Sequence, residues 1–264
     1  MSLDLRSLCF DVAELSRQVG MIIKIEEKNV SSVDIEEKSR NSLVSYVDKN
    51  AEESIVKRLS ELLPEAGFIA EEGTSDKKSD DYNWIIDPLD GTTNFLYGVP
   101  VYAVSIALQH KHEIVLGVVY EVNHDECFYA WKGGGAYLNQ NRIAVSKRKT
   151  ISDSLVATGF PYYDFDRSKN YFGLLQELVH NSRGIRRLGA AAVDLAYVAC
   201  GRFDAFFEYS LQAWDVAAGS LIVTEAGGVV QDFSGKDNWL FGKEMVATNG
   251  IVNKSFMELV KEKM

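Results

Sequence analysis

The chain has 264 residues, 28 Lys+Arg against 38 Asp+Glu, a formal net charge of −10 and 46% hydrophobic residues. Such a chain can bury a large core without disulfides, and its composition excludes a disordered or fibrous protein. The acidic balance disfavours a nucleic-acid partner, which calls for a basic face, but allows an anionic substrate held through a bound cation.

Leu5, Leu8, Val12, Leu15, Val19 and Ile22 recur at spacings of three and four and predict an opening helix. Asp4, Arg6, Asp11, Glu14 and Arg17 among them exclude a signal peptide, and no run approaches the ~20 apolar residues of a membrane span. Glu26 to Arg40 is polar and aperiodic and reads as an exposed loop or mobile lid near the site. Ala51, Ile55, Leu59 and Leu62 predict a second helix, stopped by Pro64 and Gly67. Phe68-Ile69-Ala70 is a short apolar step into Glu71-Glu72, and Trp84-Ile85-Ile86 is a short buried run. Strands are expected at Val101–Leu108 and Ile114–Val122, and a hairpin over Phe128–Val145 that turns at Lys132-Gly133-Gly134-Gly135. That glycine cluster lacks a following Gly-Lys-Ser/Thr and is not a phosphate loop. Ser146 to Thr150 reads as a solvated linker. Beyond it come a strand at Ser154–Thr158, helices at Tyr171–Val179 and Ala190–Ala199 with Gly201 as cap, and a strand at Ala205–Glu208. A helix at Asp215–Ala226 and a strand at Val229-Val230 follow, giving a layered α/β chain. Cys9, Cys127 and Cys200 are odd in number and widely spaced, which fits buried thiols in a cytoplasmic protein.

The chemistry concentrates in carboxylates. Trp84-Ile85-Ile86-Asp87-Pro88-Leu89-Asp90-Gly91-Thr92 places two acids after a buried strand, where they repel unless a cation lies between them. Asp90 could equally cap a helix starting near Gly91, and Asp215 in Trp214-Asp215-Val216-Ala217-Ala218 could cap the helix it opens. Oxygen donors without a His or Cys pattern select Mg²⁺ or Mn²⁺ over zinc. His110, His112, His124 and His180 carry no ligand or catalytic spacing. The residues alone therefore lead to an acidic metal site beside a helix N-terminus, suited to metal-assisted phosphoryl chemistry.

Four motifs in order add a resemblance: Asp48 in Tyr46-Val47-Asp48-Lys49, Glu71-Glu72, Asp87-Pro88-Leu89-Asp90-Gly91-Thr92, and Trp214-Asp215-Val216-Ala217-Ala218. With Gly159-Phe160-Pro161, Arg186-Arg187-Leu188-Gly189 and Thr224-Glu225-Ala226-Gly227-Gly228, the chain resembles the inositol monophosphatase family over nearly its whole length. The resemblance implies an alternating α/β/α/β/α sandwich like that of fructose-1,6-bisphosphatase. It also implies a single catalytic unit of two halves, about 1–148 and 149–264, and a homodimer. It implies that Glu71, Asp87 and the Leu89 carbonyl hold one Mg²⁺ and that Asp87, Asp90 and Asp215 hold a second. Glu71 would help a weaker third; Mn²⁺ would substitute, while Li⁺ and Ca²⁺ would inhibit. Glu71 and Thr92 would orient the attacking water, with Asp48 supporting Thr92. The amides of Gly91 and Thr92 would face the phosphate, and Glu208, Gly189 and Ala191 would contact the polyol.

The implied activity is hydrolysis of an inositol monophosphate or similar polyol or sugar phosphate, with no nucleic-acid or membrane partner. Alternatives are a 3′(2′),5′-bisphosphate nucleotidase, a fructose-1,6-bisphosphatase, or a regulatory binding protein that keeps the fold. Glu208 argues against a second anion in the pocket, whereas Arg186 and Arg187 leave a bisphosphate open. Ala190 stands where Ser or Thr is common beside the substrate contacts, and Gln212-Ala213 differs from several relatives at the pocket rim.

Overall fold

Asp4 starts helix α1 (Leu5–Glu26) by accepting the backbone N–H groups of Arg6 and Ser7 at 3.1 and 3.2 Å. Its buried stripe is Leu8, Val12, Leu15, Val19 and Ile23, each contributing about 1.5–3 kcal/mol by leaving water. Ile22, expected on that stripe, is 56% exposed. The helical period carries the buried face from Val19 to the residue four positions on. The computed structural model describes residues 3–29, 35–39, 42–161 and 164–264.

The polar segment after α1 is not all loop. Strand β1 (Ile35–Ser39) pairs antiparallel with β2 (Ser42–Ser45). Backbone hydrogen bonds make this ribbon, so polar composition did not disclose it. Residues 30–34 and 40–41 lie outside the described residues, and the expectation of a lid lies there with them. Helix α2 (Tyr46–Leu62) follows, with Ala51, Ile55 and Leu59 buried as expected and Leu62 only partly so.

Next come β3 (Gly67–Ala70), β4 (Tyr82–Asp90), the short α3 (Thr92–Leu96), β5 (Ala103–His110), β6 (Glu113–Glu121), β7 (Glu126–Trp131), β8 (Gly135–Leu138) and β9 (Asn141–Ile143). The strands form one seven-stranded sheet in chain order, with only β3 and β4 parallel. Both faces are buried. On β4, Trp84 and Ile86 pack with α1 and α2, while Ile85 faces the opposite layer. The glycine turn between β7 and β8 is held by Glu225, which accepts the N–H groups of Gly133 and Gly135 at 2.7 and 2.8 Å.

The second half holds β10 (Leu155–Thr158), α4 (Ser168–Asn181), β11 (Gly184–Arg186), α5 (Ala191–Ala199), β12 (Ala205–Tyr209), α6 (Ala213–Glu225), β13 (Val229–Gln231), β14 (Glu244–Thr248) and α7 (Asn253–Lys263). Its five-stranded sheet has the order β11-β10-β12-β14-β13. Helices α5 and α6 lie between the two sheets, and their alanines allow close packing against Ile85 and Val119 on one side and Phe206 and Ala247 on the other. Tyr171 and Leu174 of α4 and Phe256 and Val260 of α7 cover the outer face of the smaller sheet. The layers are thus helices, sheet, helices, sheet, helices, as the resemblance implied. The Ser146–Thr150 segment is more than a solvated linker: Ser146 donates to the buried Asp204, and Arg148 pairs with the same carboxylate at 3.1 Å. Among the described residues no helix is long and apolar enough to cross a membrane.

Candidate active site

Strand β4 ends in a bulge. Asp87 lies opposite Ser105 and Asp90 opposite Ala103, so three steps on β4 match two on β5. Pro88, which has no N–H, occupies the irregular stretch. Asp87 accepts the Leu89 N–H at 2.9 Å, closing a local turn. Asp90 does not cap the helix that follows it. Its Oδ2 accepts the Ala192 N–H at 2.7 Å and so caps α5, 102 residues away. The reason is chemical: the N-cap residue of α5 is Ala190, which has no side-chain acceptor. Gly91 caps α3 with φ of 91°, a conformation that a side chain would strain.

Glu71 follows β3, and its N–H reaches the Ile86 carbonyl of β4 at 3.2 Å. Sequence reasoning missed the residue that fixes this turn. Glu52 of α2 is fully buried and accepts the N–H groups of Glu72 and Thr74 at 2.7 and 2.8 Å. Its spacing from Ile55 and Leu59 marks the buried face of α2 and was the available signal. One turn earlier on that face, Asp48 accepts both the N–H and the hydroxyl of Ser45 through Oδ2, at 2.8 and 2.7 Å. Its Oδ1 lies 3.0 Å from the Thr92 hydroxyl, which is also 3.0 Å from the Leu89 carbonyl. Asp48, Thr92 and Leu89 are thus in contact.

Asp215 stands in the first turn of α6 rather than at its N-cap, which is Gln212; its carboxylate accepts the Gln212 N–H at 2.7 Å. Four acids share one field. Burial, then Glu71, Asp90 and Asp215, hold Asp87 well above the ordinary carboxylate range. Burial and Glu71 lift Asp90 to about 7 against the amides of Ala191, Ala192 and Val193. Burial, Asp90 and Glu71 raise Asp215 despite its bond from Gln212. No basic side chain figures among the leading influences on these three. A buried set of hard oxygen donors whose charges oppose one another fits a divalent cation as its missing counter-charge. Among the described residues no three acidic, imidazole or thiol groups converge to ligating distance as they stand. Asp87, Asp90 and Asp215 each accept a backbone amide through one carboxylate oxygen, which leaves the other oxygen of each as a donor to a cation.

Asp90 and Asp215 also line a cavity of about 70 Å³ with Gly189, Ala191, Glu208 and Arg187. Glu71, Asp87, Leu89, Gly91, Thr92 and Asp48 do not line it; Glu71 and Asp87 join it through the charges of Asp90 and Asp215. Burial, Asp215 and Asp90 raise Glu208, and Arg187 opposes them. Gly159 leaves room for the Glu208 carboxylate: a Cβ there would lie 2.1 Å from it and displace that side chain. Arg187 sits over the Phe160 ring, 5.6 Å from its centre. Asn94 ties the pocket together by donating to the carbonyls of Val101 and Leu188 at 2.7 and 2.8 Å. The histidines lie elsewhere: His110 pairs with Asp81 at 3.1 Å and His124 with Glu121 at 2.9 Å, while His112 and His180 are exposed.

Residues 5–264 match the model of the inositol monophosphatase family. A putative Nus factor SuhB of Neisseria meningitidis serogroup B is 43% identical, over 93% of this chain and 94% of its own. An inositol-1-monophosphatase of Mesorhizobium japonicum is 38% identical over 95% of both chains. Among solved structures, the extragenic suppressor protein suhB of Bartonella henselae superposes with a TM-score of 0.93 at 37% identity, covering 98% of this chain and all 100% of the other.

Proposed function

The chain belongs to the inositol monophosphatase family, and on that premise we propose that it is a Mg²⁺-dependent phosphate monoester hydrolase acting on an inositol monophosphate or similar polyol phosphate. The observation that carries this reading is the mutually repelling set of buried Asp87 and Asp90 with half-buried Glu71 and Asp215, beside the Asp48–Thr92 pair.

Glu71, Asp87, Asp90, Asp215 and the Leu89 carbonyl would hold two Mg²⁺ ions, with Glu71 helping a third. Bound there, such ions neutralise the phosphoryl oxygens, acidify the attacking water and stabilise the leaving oxygen. The Thr92 hydroxyl donates to Asp48, which leaves its Oγ1 lone pairs free to accept a hydrogen bond from the attacking water; as that water's proton passes to Oγ1, the hydroxyl's own proton passes to the Asp48 carboxylate. Glu71 takes the other side of that water. The N–H groups of Gly91 and Thr92 face the phosphate, while Glu208, Gly189 and Ala191 meet the polyol. Proton transfer then needs no histidine, in keeping with the four imidazoles lying away from the cavity. The protein works as a homodimer in the cytoplasm.

A second reading, a regulatory binding protein, is favoured by the name of the Neisseria relative. Phosphate release from inositol 1-phosphate, fructose 1,6-bisphosphate and 3′-phosphoadenosine 5′-phosphate, at fixed Mg²⁺ with and without Li⁺, separates the readings. Mg²⁺-dependent, Li⁺-inhibited turnover greatest on inositol 1-phosphate is expected. Preference for a bisphosphate would refute the role given to Glu208, and silence on all three would favour the regulatory reading.

A further inference from the structure

Helix α5 carries one charged residue among Ala191–Ala199, and it is buried. Asp194 is 1% exposed, lines the same cavity as Glu208, and its Oδ1 has no hydrogen-bond partner. A buried carboxyl oxygen without a hydrogen-bond partner, in an otherwise uncharged helix between two sheets, is a cost in the ligand-free protein. The groups around it define what would satisfy it. Glu208 and Asp90 are the acids acting on Asp194, and Arg187 is the opposing cation. Arg187 and Glu208 line the cavity as well. Two carboxyl groups on one small cavity offer acceptors to hydroxyl donors and repel an anion; the single guanidinium already serves both acids.

We propose that Asp194 is a second substrate-binding carboxyl group that works with Glu208 to recognise a polyol through at least two of its hydroxyls. This rests on the phosphatase reading and extends it. The preferred substrate is a monophosphate whose non-phosphorylated face is neutral and rich in hydroxyl donors, and a second phosphate on that face is rejected. Asp194 and Glu208 stand on different elements, α5 and β12, so the pair reads hydroxyls from two directions.

The test compares inositol 1-phosphate with cyclohexyl phosphate, the same ring without hydroxyls, in the wild-type protein and in Asp194→Asn and Asp194→Leu at saturating Mg²⁺. Both variants should raise KM for inositol 1-phosphate about tenfold or more relative to any change for cyclohexyl phosphate, the scale of one hydrogen bond to a charged group. Asp194→Leu should also raise the melting temperature of the ligand-free protein, because it removes the buried oxygen that has no partner. Equal effects on the two esters, or lower melting temperatures with no discrimination between them, would make Asp194 a structural residue and overturn the proposal. Absence of turnover on both esters in the wild-type protein would instead overturn the phosphatase reading, and this proposal with it.

Discussion

At Glu52 a fully buried carboxylate holds two backbone N–H groups immediately beyond Glu71. Removing both acceptors strands two donors at about 1–3 kcal/mol each, so Glu52→Ala should lose about 2–6 kcal/mol of stability in urea unfolding. Glu52→Gln keeps one acceptor oxygen and should lose about half as much. Because Glu52 positions Glu71 without touching substrate, the Gln variant should need about tenfold more Mg²⁺ for half-maximal turnover, with kcat at saturating Mg²⁺ largely restored. An unchanged Mg²⁺ curve would show that the turn holds its shape without Glu52. The acids of the site were legible because they sit in short motifs at the ends of apolar runs. Glu52 and Asp194 sit inside helices, where their role depends on what the fold brings opposite them. No local pattern discloses that Asp90 caps a helix 102 residues away.

Among elements, α2 does the most to link stability with the site. Its Ser45 N-cap accepts the Val47 N–H at 3.2 Å and donates to Asp48, the residue that holds Thr92. Ser45→Ala should therefore cost about 1 kcal/mol, the usual value of an N-cap, measured by thermal or urea unfolding. It should also lower kcat more than Ser60→Ala, a control whose hydroxyl only returns to the Val56 carbonyl on the same helix. Equal kcat in the two variants would detach the cap from catalysis. Periodicity disclosed α1, α2, α4, α5 and α6 and the long strands β4, β5 and β6, because each has a continuous apolar face. It missed β1, β2 and β11, which are short, did not separate β9 from the second arm of the expected hairpin, and placed Ile22 on the wrong side of α1. Strand β14 and helix α7 drew no reading, although Met245, Val246, Phe256 and Val260 complete the core of the smaller sheet.

Across the whole molecule, α5 and α6 are shared by both sheets, and one core runs from Ile85 to Ala247. We infer that the halves unfold as one unit, giving a single calorimetric transition. The raised carboxyl groups set how that transition depends on pH. Burial and mutual repulsion raise Asp87, Asp194, Glu208 and Asp215, and lift Asp90 to about 7, above the ordinary carboxylate range of the unfolded chain. The folded protein then binds more protons than the unfolded one, so their contribution is fully present below about pH 4 and is lost as pH rises through the folded values, about 7 for Asp90. In EDTA the melting temperature should fall between pH 5 and pH 8. Saturating Mg²⁺ should flatten that fall, since the cation stabilises the ionised acids. An identical pH slope with and without Mg²⁺ would contradict the placement of a cation among them.

The most direct measurement is phosphate release from inositol 1-phosphate across a Mg²⁺ titration, for the wild-type protein, Asp90→Asn and Asp215→Asn. The wild-type protein should turn over only with Mg²⁺, and each Asn variant should lose activity by at least about 10³-fold without recovering it at high Mg²⁺, while remaining folded by calorimetry. Phosphate release that persists in both variants, or that proceeds in EDTA, would contradict a carboxylate-held cation site as the centre of this protein's chemistry.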